Sequence, residues 1–335
     1  MSPKSVFTSV LLVFFLFSCK MDPLRVKIDG IDTGITYVNV DSSIVHSEFD
    51  NLISLNQRWK DELGDIYSYL IGYCIKLPDA SDSTFQEGIS LFRKDPYVRR
   101  LEQRISERFG NLTIKKREID DGFKHLKVHF PDVAIPEKIV FMNSLFASSV
   151  FSTKNEIGIG LERYLGAGTD VIKELPYQTF PEWEKEAMDD QFLSRDVLVS
   201  WISTHLVDDV EGNLAERMVR WGKILYLTQA AFPQMDPSSI LRYNKEDFNW
   251  ALENEFDLWT YLAKEKLLFK MDELNIKNLL GEGPFTPGLP EKGPDRLGQF
   301  IGYRMILKYM EIKEVSLGEL LTTPYSDILI EYEID

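Results

Sequence analysis

Only two cysteines occur in this chain of 335 residues, and they limit how its fold can be stabilised. Cys19 closes an N-terminal segment with the features of an export signal: Lys4, an apolar run over residues 6–17, and the small residue Ser18. If Cys19 is modified there, Cys74 has no intramolecular partner and no disulfide framework can form. A hydrophobic core must then hold the chain together, and 44% hydrophobic residues suffice for a large one.

The sequence Leu16-Phe17-Ser18-Cys19 resembles a bacterial lipobox, which predicts that residues 1–18 are removed and that Cys19 carries a lipid such as palmitate. Residues 19–26 then form the lipidated cysteine and a short tether. Residues 27–335 are expected to form a single domain, because no Gly/Ser/Pro-rich linker interrupts them. The predicted location is the cell envelope, on either the inner or the outer membrane. An ordinary signal peptide or a signal anchor are the alternatives.

The formal net charge of −15 limits the possible partners. Such a surface repels phosphate backbones and anionic lipid, so neither nucleic-acid binding nor a polybasic membrane patch is expected. No apolar run after the signal segment approaches membrane-spanning length. The predicted contact with a membrane is therefore the lipid on Cys19.

The spacing of apolar residues predicts a mostly helical chain with a small β-sheet, which is an α+β fold. The predicted helices are His46–Leu77, Thr84–Arg93, Pro96–Gly110, Arg117–Val128, Arg195–Leu206, Leu214–Phe232, Asn244–Phe269 and Pro294–Tyr309. The predicted strands are Lys138–Met142, Ala147–Phe151 and Glu156–Gly160. Helix caps are expected at Asp95, Asn213 and Asn244, with a capping box from Ser316 to Glu319.

Motifs for nucleotides and metals are incomplete, and no cofactor is predicted. Gly158 and Gly160 lack the third glycine of a dinucleotide fingerprint, and residues 281–288 lack the Gly-Lys-Ser/Thr ending of a phosphate loop. His125 and His129 have helical spacing but lack the intervening glutamate of a zinc peptidase. Nucleotide binding is rejected, and the histidine pair is interpreted as structural.

Five segments resemble the gliding motility lipoprotein family GldB of the Bacteroidetes. They are Ile157–Gly166, Arg217–Tyr226, Trp250–Trp259, Pro294–Tyr303 and Ser316–Leu321. The resemblance is strong from about residue 138 onward and weaker over residues 22–137, and the lipobox fits the same family. It implies a role in gliding motility, with envelope proteins of the gliding and type IX secretion machinery as partners. Gly298 and Gly302 in the fourth segment are interpreted as a site of close helix packing.

That family in turn looks like a distant relative of zincin-type metallopeptidases, which implies a zincin-like architecture. If residues 197–205 correspond to the zincin active helix, His205 takes the place of the second histidine ligand. Trp201 then replaces the first ligand, and Ile202 replaces the general base. On the next helix, Trp221 stands where such a zincin has its glutamate ligand. One ligand of three cannot hold zinc tightly, so the resemblance implies a pseudoenzyme without catalytic or metal-binding residues.

Three functions remain open at this point. The first is a non-enzymatic envelope lipoprotein that serves gliding motility through protein contacts, with a remnant cleft near His205, Trp201 and Trp221. The second is a metal-dependent peptidase that uses His205, Glu255 and other carboxylates in a rearranged site. The third is a lipoprotein that captures a glycan or a peptide on aromatic residues exposed in a groove.

Overall fold

The computed structural model describes residues 22–40, 49–78, 84–290 and 293–332, so the predicted lipidation at Cys19 lies outside the described residues. Leu24, which the sequence places in the tether, is buried in the larger of two hydrophobic cores. Leu24 therefore belongs to the packed part of the protein. Within the described ranges, every helix is too short or too polar to cross a lipid bilayer.

Four short strands form one mixed sheet in the order β1-β2-β4-β3. Their bounds are β1 Thr36–Asn39, β2 Lys138–Met142, β3 Val150–Ser152 and β4 Glu156–Gly160. Strand β2 pairs in parallel with both β1 and β4, whereas the edge strand β3 is antiparallel to β4. The predictions for β2 and β4 are confirmed, and β1 was not predicted.

Helices surround this sheet, so the α+β class is confirmed. They are α1 Phe49–Ser68, α2 Phe85–Lys94, α3 Pro96–Phe109, α4 Thr113–His129, α5 Asp170–Lys173, α6 Glu182–Glu186, α7 Leu193–His205, α8 Leu214–Ala231, α9 Pro237–Ile240, α10 Lys245–Glu253, α11 Glu255–Lys264, α12 Glu273–Leu280, α13 Leu297–Lys313, α14 Leu317–Thr322 and α15 Tyr325–Ile330. A π-helical segment, Tyr69–Cys74, continues α1. The predicted caps at Asp95, Asn213 and Asn244 form, as does the capping box from Ser316 to Glu319.

The sheet separates two clusters of buried apolar side chains. Ile139 and Phe141 of β2 belong to the larger cluster. Val140 and Met142 point to the other face and join the smaller cluster, together with Trp59 of α1. This alternation with a period of two is that of a strand covered on both faces.

The single long helix predicted after Asn244 is wrong, because the chain forms α10 and α11 instead. Asn254 leaves the helical conformation, with φ −105° and ψ 8°, and its side-chain amide donates to the Trp250 carbonyl oxygen at 2.8 Å. Asparagine offers the backbone a local alternative to the helical hydrogen bonds. The apolar period continues across this break, which is why the pattern alone did not show it.

Two further boundaries differ from the predictions. The first predicted helix ends as an α-helix at Ser68, and Gly64 inside it has a positive φ of 44°. The predicted strand from Ala147 begins only at Val150. Leu145 and Phe146 just before it adopt left-handed backbone conformations, which turn the chain after β2 and delay the strand.

Candidate functional site

Trp201, predicted to correspond to the first zinc ligand of a zincin, is a packing residue. It is fully buried in the larger core. Its indole Nε1 donates to the Ala134 carbonyl oxygen at 3.0 Å, and Phe123 meets its ring edge-on with centroids 6.2 Å apart. The polar atom of this side chain is therefore already satisfied inside the protein.

His205 is the last residue of α7, and its ring stacks on Trp201 with the centroids 3.7 Å apart. Nδ1 faces the Trp201 carbonyl oxygen at 3.2 Å, and Nε2 faces the carbonyl oxygen of Lys154 at 3.1 Å. Lys154 lies in the turn between β3 and β4. Both ring nitrogens are therefore directed at carbonyl oxygens, whereas a metal ligand needs a nitrogen lone pair directed at the ion. In this position the imidazole connects the end of α7 to the turn between β3 and β4.

Two neighbouring surface grooves lie beside these residues. One, of about 340 Å³, includes His205, and the other, of about 450 Å³, includes Trp221. Asp209 and Arg220 line both grooves. Arg220 donates to backbone carbonyl oxygens in α7 at 3.1 Å and in the loop after it at 2.9 Å. The structure thus places His205 and Trp221 in neighbouring grooves, while Trp201 is buried in the core.

The rearranged metal site considered from the sequence is not assembled. Both carboxylate oxygens of Glu255 lie 2.9 Å from Arg304 Nε, and Oε1 also accepts from the Tyr332 hydroxyl at 2.7 Å. Glu255 does not line the groove that contains His205. In the part of the chain that the structure describes, no three His, Cys, Asp or Glu side chains are placed to share a metal ion.

A third cavity, of about 420 Å³, lies where α6, the start of α10 and the segment before α13 meet. Its aromatic lining residues are Trp183, Phe192 and Tyr243, and charged side chains lie among them. This volume is within the range of ligand pockets, roughly 300–1,000 Å³. We call it the arginine cavity, after Arg242 and Arg296 in its lining.

Arg242 and Arg296 both adopt left-handed backbone conformations, with φ 55° and 53°. Such conformations cost on the order of 1–3 kcal/mol in residues with a side chain, and they cluster at functional sites. The two residues are connected, because Arg296 Nη2 donates to the Arg242 carbonyl oxygen at 3.3 Å. The lining of the cavity therefore includes two residues with strained backbones that are joined by a hydrogen bond.

Asp196 of α7 compensates the charge of Arg242. Its Oδ2 lies 3.3 Å from Arg242 Nη1 and accepts from the Tyr164 hydroxyl at 2.9 Å. Its Oδ1 accepts from Arg195 Nη1 at 2.9 Å. Tyr164 and Arg195 are both buried. The guanidinium of Arg242 also lies 4.8 Å from the centre of the Phe192 ring. Since buried charges need partners, this network fixes the direction of Arg242.

Arg296 has fewer partners, and its buried Nε makes an ion pair but no hydrogen bond among the described residues. Its Nε lies 3.0 Å from Asp295 Oδ2, and its guanidinium lies 5.4 Å from the centre of the Tyr243 ring. Asp295 Oδ2 also accepts from the Gly283 backbone N–H at 2.9 Å. Burial raises the pKa of Asp295, and the positive charge of Arg296 opposes that shift. The floor of the arginine cavity is thus made of two paired and mostly buried charges.

Glu162 is a separate, fully buried acid just after β4. Its Oε1 accepts from the backbone N–H groups of Ser144 at 3.0 Å and Phe146 at 2.8 Å, and from the Ser144 hydroxyl. Its Oε2 has no hydrogen-bond partner among the described residues. Burial raises the pKa of Glu162, which favours the neutral acid. This carboxyl group holds the turn that follows β2.

A family model for the gliding motility protein GldB matches residues 22–333 of the chain. The chain belongs to the GldB family. Comparisons with curated proteins and with solved structures found no match. The likeness to zincins therefore stays a prediction. The match spans both grooves, the arginine cavity and Glu162.

Two segments that carry the GldB resemblance also carry these buried polar groups. Ile157–Gly166 contains Glu162 and Tyr164, and Pro294–Tyr303 contains Asp295 and Arg296. The arginine cavity was not predicted, because the second segment was interpreted only as a site of close helix packing at its glycines. An Asp-Arg pair between a proline and a long apolar helix is the signal that points to a buried ion pair.

Proposed function

We propose that this chain is a lipid-anchored protein of the cell envelope that serves gliding motility by binding other proteins, and not by metal-dependent catalysis. Membership of the GldB family supports the role in gliding. The expected partners are other envelope proteins of the gliding and type IX secretion machinery. Cys19 is the proposed point of attachment to the membrane.

A short stretch of the chain with exposed apolar side chains carries the proposal of protein contacts. Phe269, Met271 and Leu274, between the end of α11 and the first turn of α12, are 65%, 67% and 68% exposed. We call these three side chains the apolar ridge. Glu273 and Ile276 from the same stretch line the groove of Trp221, so the ridge borders that groove. Several large apolar side chains exposed within one short stretch of chain are typical of protein-binding surfaces.

The residues at the aligned zincin positions favour a binding protein over a peptidase. Trp201 is enclosed by the core, and the ring nitrogens of His205 face carbonyl oxygens. With this arrangement, neither position offers a ligand for a metal ion that could activate water. Stoichiometric zinc in the purified protein that is lost in a His205→Ala variant would instead support the peptidase.

The proposal is tested by complementing a deletion strain with a variant of the apolar ridge. Phe269→Ser, Met271→Ser and Leu274→Ser together should leave the amount of protein in the membrane unchanged and abolish spreading on surfaces. A photoreactive amino acid at position 271 should crosslink to an envelope protein in living cells. Normal spreading by the ridge variant, together with no crosslink, would count against the proposal.

A matched control removes three equally exposed apolar side chains that lie elsewhere in the sequence. Leu91, Tyr177 and Ile330 are 64%, 67% and 73% exposed and belong to separate segments. Their joint replacement by serine should leave spreading normal, because isolated exposed apolar residues are ordinary on protein surfaces.

A further inference from the structure

The charges that line the arginine cavity are unequally distributed between its floor and its rim. In the floor, Arg242 is paired with Asp196 and Arg296 is paired with Asp295. Each positive charge of the lining thus has a negative partner close by. Because Asp196 is shared with the buried Arg195, the floor as a whole keeps one net positive charge below the cavity, which the charges of the rim must outweigh.

The rim carries three further carboxylates, those of Glu186, Asp247 and Glu282. Glu282 Oε1 is 3.9 Å from Arg242 Nη1 and its side chain is 55% exposed, so this pair is weak. Among the described residues, no cationic side chain lies within ion-pair distance of Glu186 or Asp247. The mouth of the cavity is therefore negative.

Asp247 is partly buried beside other carboxylates. Burial raises the pKa of Asp247, the carboxylates of Asp295 and Glu246 raise it further, and the positive charge of Arg296 and the amide of Asn244 lower it. Its Oδ2 accepts from the neutral amide of Asn244 at 2.7 Å. A positive charge brought into the mouth would favour the ionised form of Asp247.

The aromatic lining points to the same kind of ligand. Arg242 lies over Phe192 and Arg296 lies over Tyr243, so cations of the chain itself already use these two rings. Trp183 also lines the cavity, and no described cation lies over its ring. An indole beside carboxylates is a typical setting for an ammonium or guanidinium group.

We propose that the arginine cavity receives a lysine or arginine side chain of a partner protein, held by Glu186, Asp247 and Glu282 against Trp183. The volume suits one long side chain with its flanking backbone better than a folded element. This inference deepens the proposed function and rests on it in one respect, since it assumes that the ligand is a protein. It concerns a surface separate from the apolar ridge.

A fluorescein-labelled tetralysine peptide, titrated into the detergent-solubilised full chain at low salt and followed by anisotropy, tests the site. The variant Glu186→Gln, Asp247→Asn, Glu282→Gln should raise the Kd about tenfold, because three charges lose their contacts with the ligand. A control variant, Glu87→Gln, Asp132→Asn, Glu265→Gln, removes the same three charges from exposed positions. Its Kd should change by less than about twofold.

Two further measurements separate specific recognition from general attraction to an acidic protein. Trp183→Leu should weaken binding several-fold without a change in net charge, and an acetylated tetralysine should not bind. Equal weakening by both triple variants, or equal binding of the acetylated peptide, would overturn the proposal. Displacement of the peptide by an equal concentration of spermidine would also overturn it in favour of a polyamine site. The ridge variant tests the proposed function independently, so the two failures are distinguishable.

Discussion

A Cβ atom on Gly222 would lie 2.1 Å from the carbonyl oxygen of Gly302, and one on Gly302 would lie 1.9 Å from the carbonyl oxygen of Met218. Helices α8 and α13 therefore cross with their backbones in direct contact, which glycine alone permits at these positions. Gly222 follows Trp221, the residue predicted from the sequence to replace the glutamate ligand of a zincin. The glycine at this place is explained by helix packing.

Gly302→Ala should lower the free energy of unfolding by about 2–3 kcal/mol, because backbone atoms on α8 cannot move aside for a methyl group. Urea denaturation, with the slope checked for constancy, measures the change. Gly318→Ala is the matched control, since the nearest atom to its Cβ is Ser316 Oγ at 3.9 Å. In helix α14 this change should raise stability by about 0.5–1 kcal/mol. If Gly302→Ala had the same free energy of unfolding as the wild type, the close contact between the two helix backbones would be contradicted.

Asp196→Asn should be strongly destabilising, because Arg195 and Arg242 would keep their positive charges without the shared carboxylate. Removing one member of a buried charge network typically costs about 3–5 kcal/mol. The same urea experiment measures this cost. Asp209→Asn is the control: its side chain is 89% exposed beside Arg220, and such pairs contribute less than about 1 kcal/mol. Similar values for the two variants would show that the Asp196 network does not hold the fold.

Apolar periodicity predicted most of the helices and strands of this fold. It failed where a side-chain hydrogen bond or pairing with a distant strand determines the backbone conformation. The strands Lys138–Met142 and Glu156–Gly160 are confirmed because each is an uninterrupted β-rich run. Strand β1 is only four residues long and half exposed, and it is held by pairing with β2, about a hundred residues later in the chain. The break at Asn254 depends on a local hydrogen bond that the apolar pattern does not contain.

The candidate site was less predictable, because its parts come from segments that are far apart in the sequence. The predicted likeness to zincins concerns residues 197–205 of α7. Arg195 and Asp196, which connect α7 to the arginine cavity, lie just before that stretch. Arg242, the partner of Asp196, lies in a loop, and only the fold brings these two residues together. The close packing predicted at Gly302 is confirmed, since a glycine within a helical period indicates a nearby backbone.

Glu162 should make stability fall as pH rises above the usual glutamate pKa of about 4.3. In that range the unfolded chain releases its proton, whereas burial raises the pKa of Glu162 in the folded protein and keeps it protonated. The folded state then binds more protons, so its contribution is complete at low pH and is lost towards the raised pKa. Glu162→Gln removes this dependence.

Urea denaturation at about pH 4 and about pH 7 tests the sign of the effect. The stability of Glu162→Gln relative to the wild type should increase between these two values. Glu87→Gln, on the exposed side of α2, should show the same difference from the wild type at both. A relative stability of Glu162→Gln that decreases with pH would mean that the carboxyl group is ionised in the folded protein.

Cys19→Ala should release the protein from the membrane fraction, because it removes the thiol to which the lipid is predicted to be attached. Fractionation of cells, with metabolic labelling by an alkyne analogue of palmitate, follows both the location and the modification. Cys74→Ala is the control, since this second cysteine is buried in the smaller core and should not affect labelling. The released Cys19→Ala protein should fail to restore spreading in a deletion strain. Labelled Cys19→Ala protein in the membrane pellet would place the lipid, and the mature N-terminus, elsewhere.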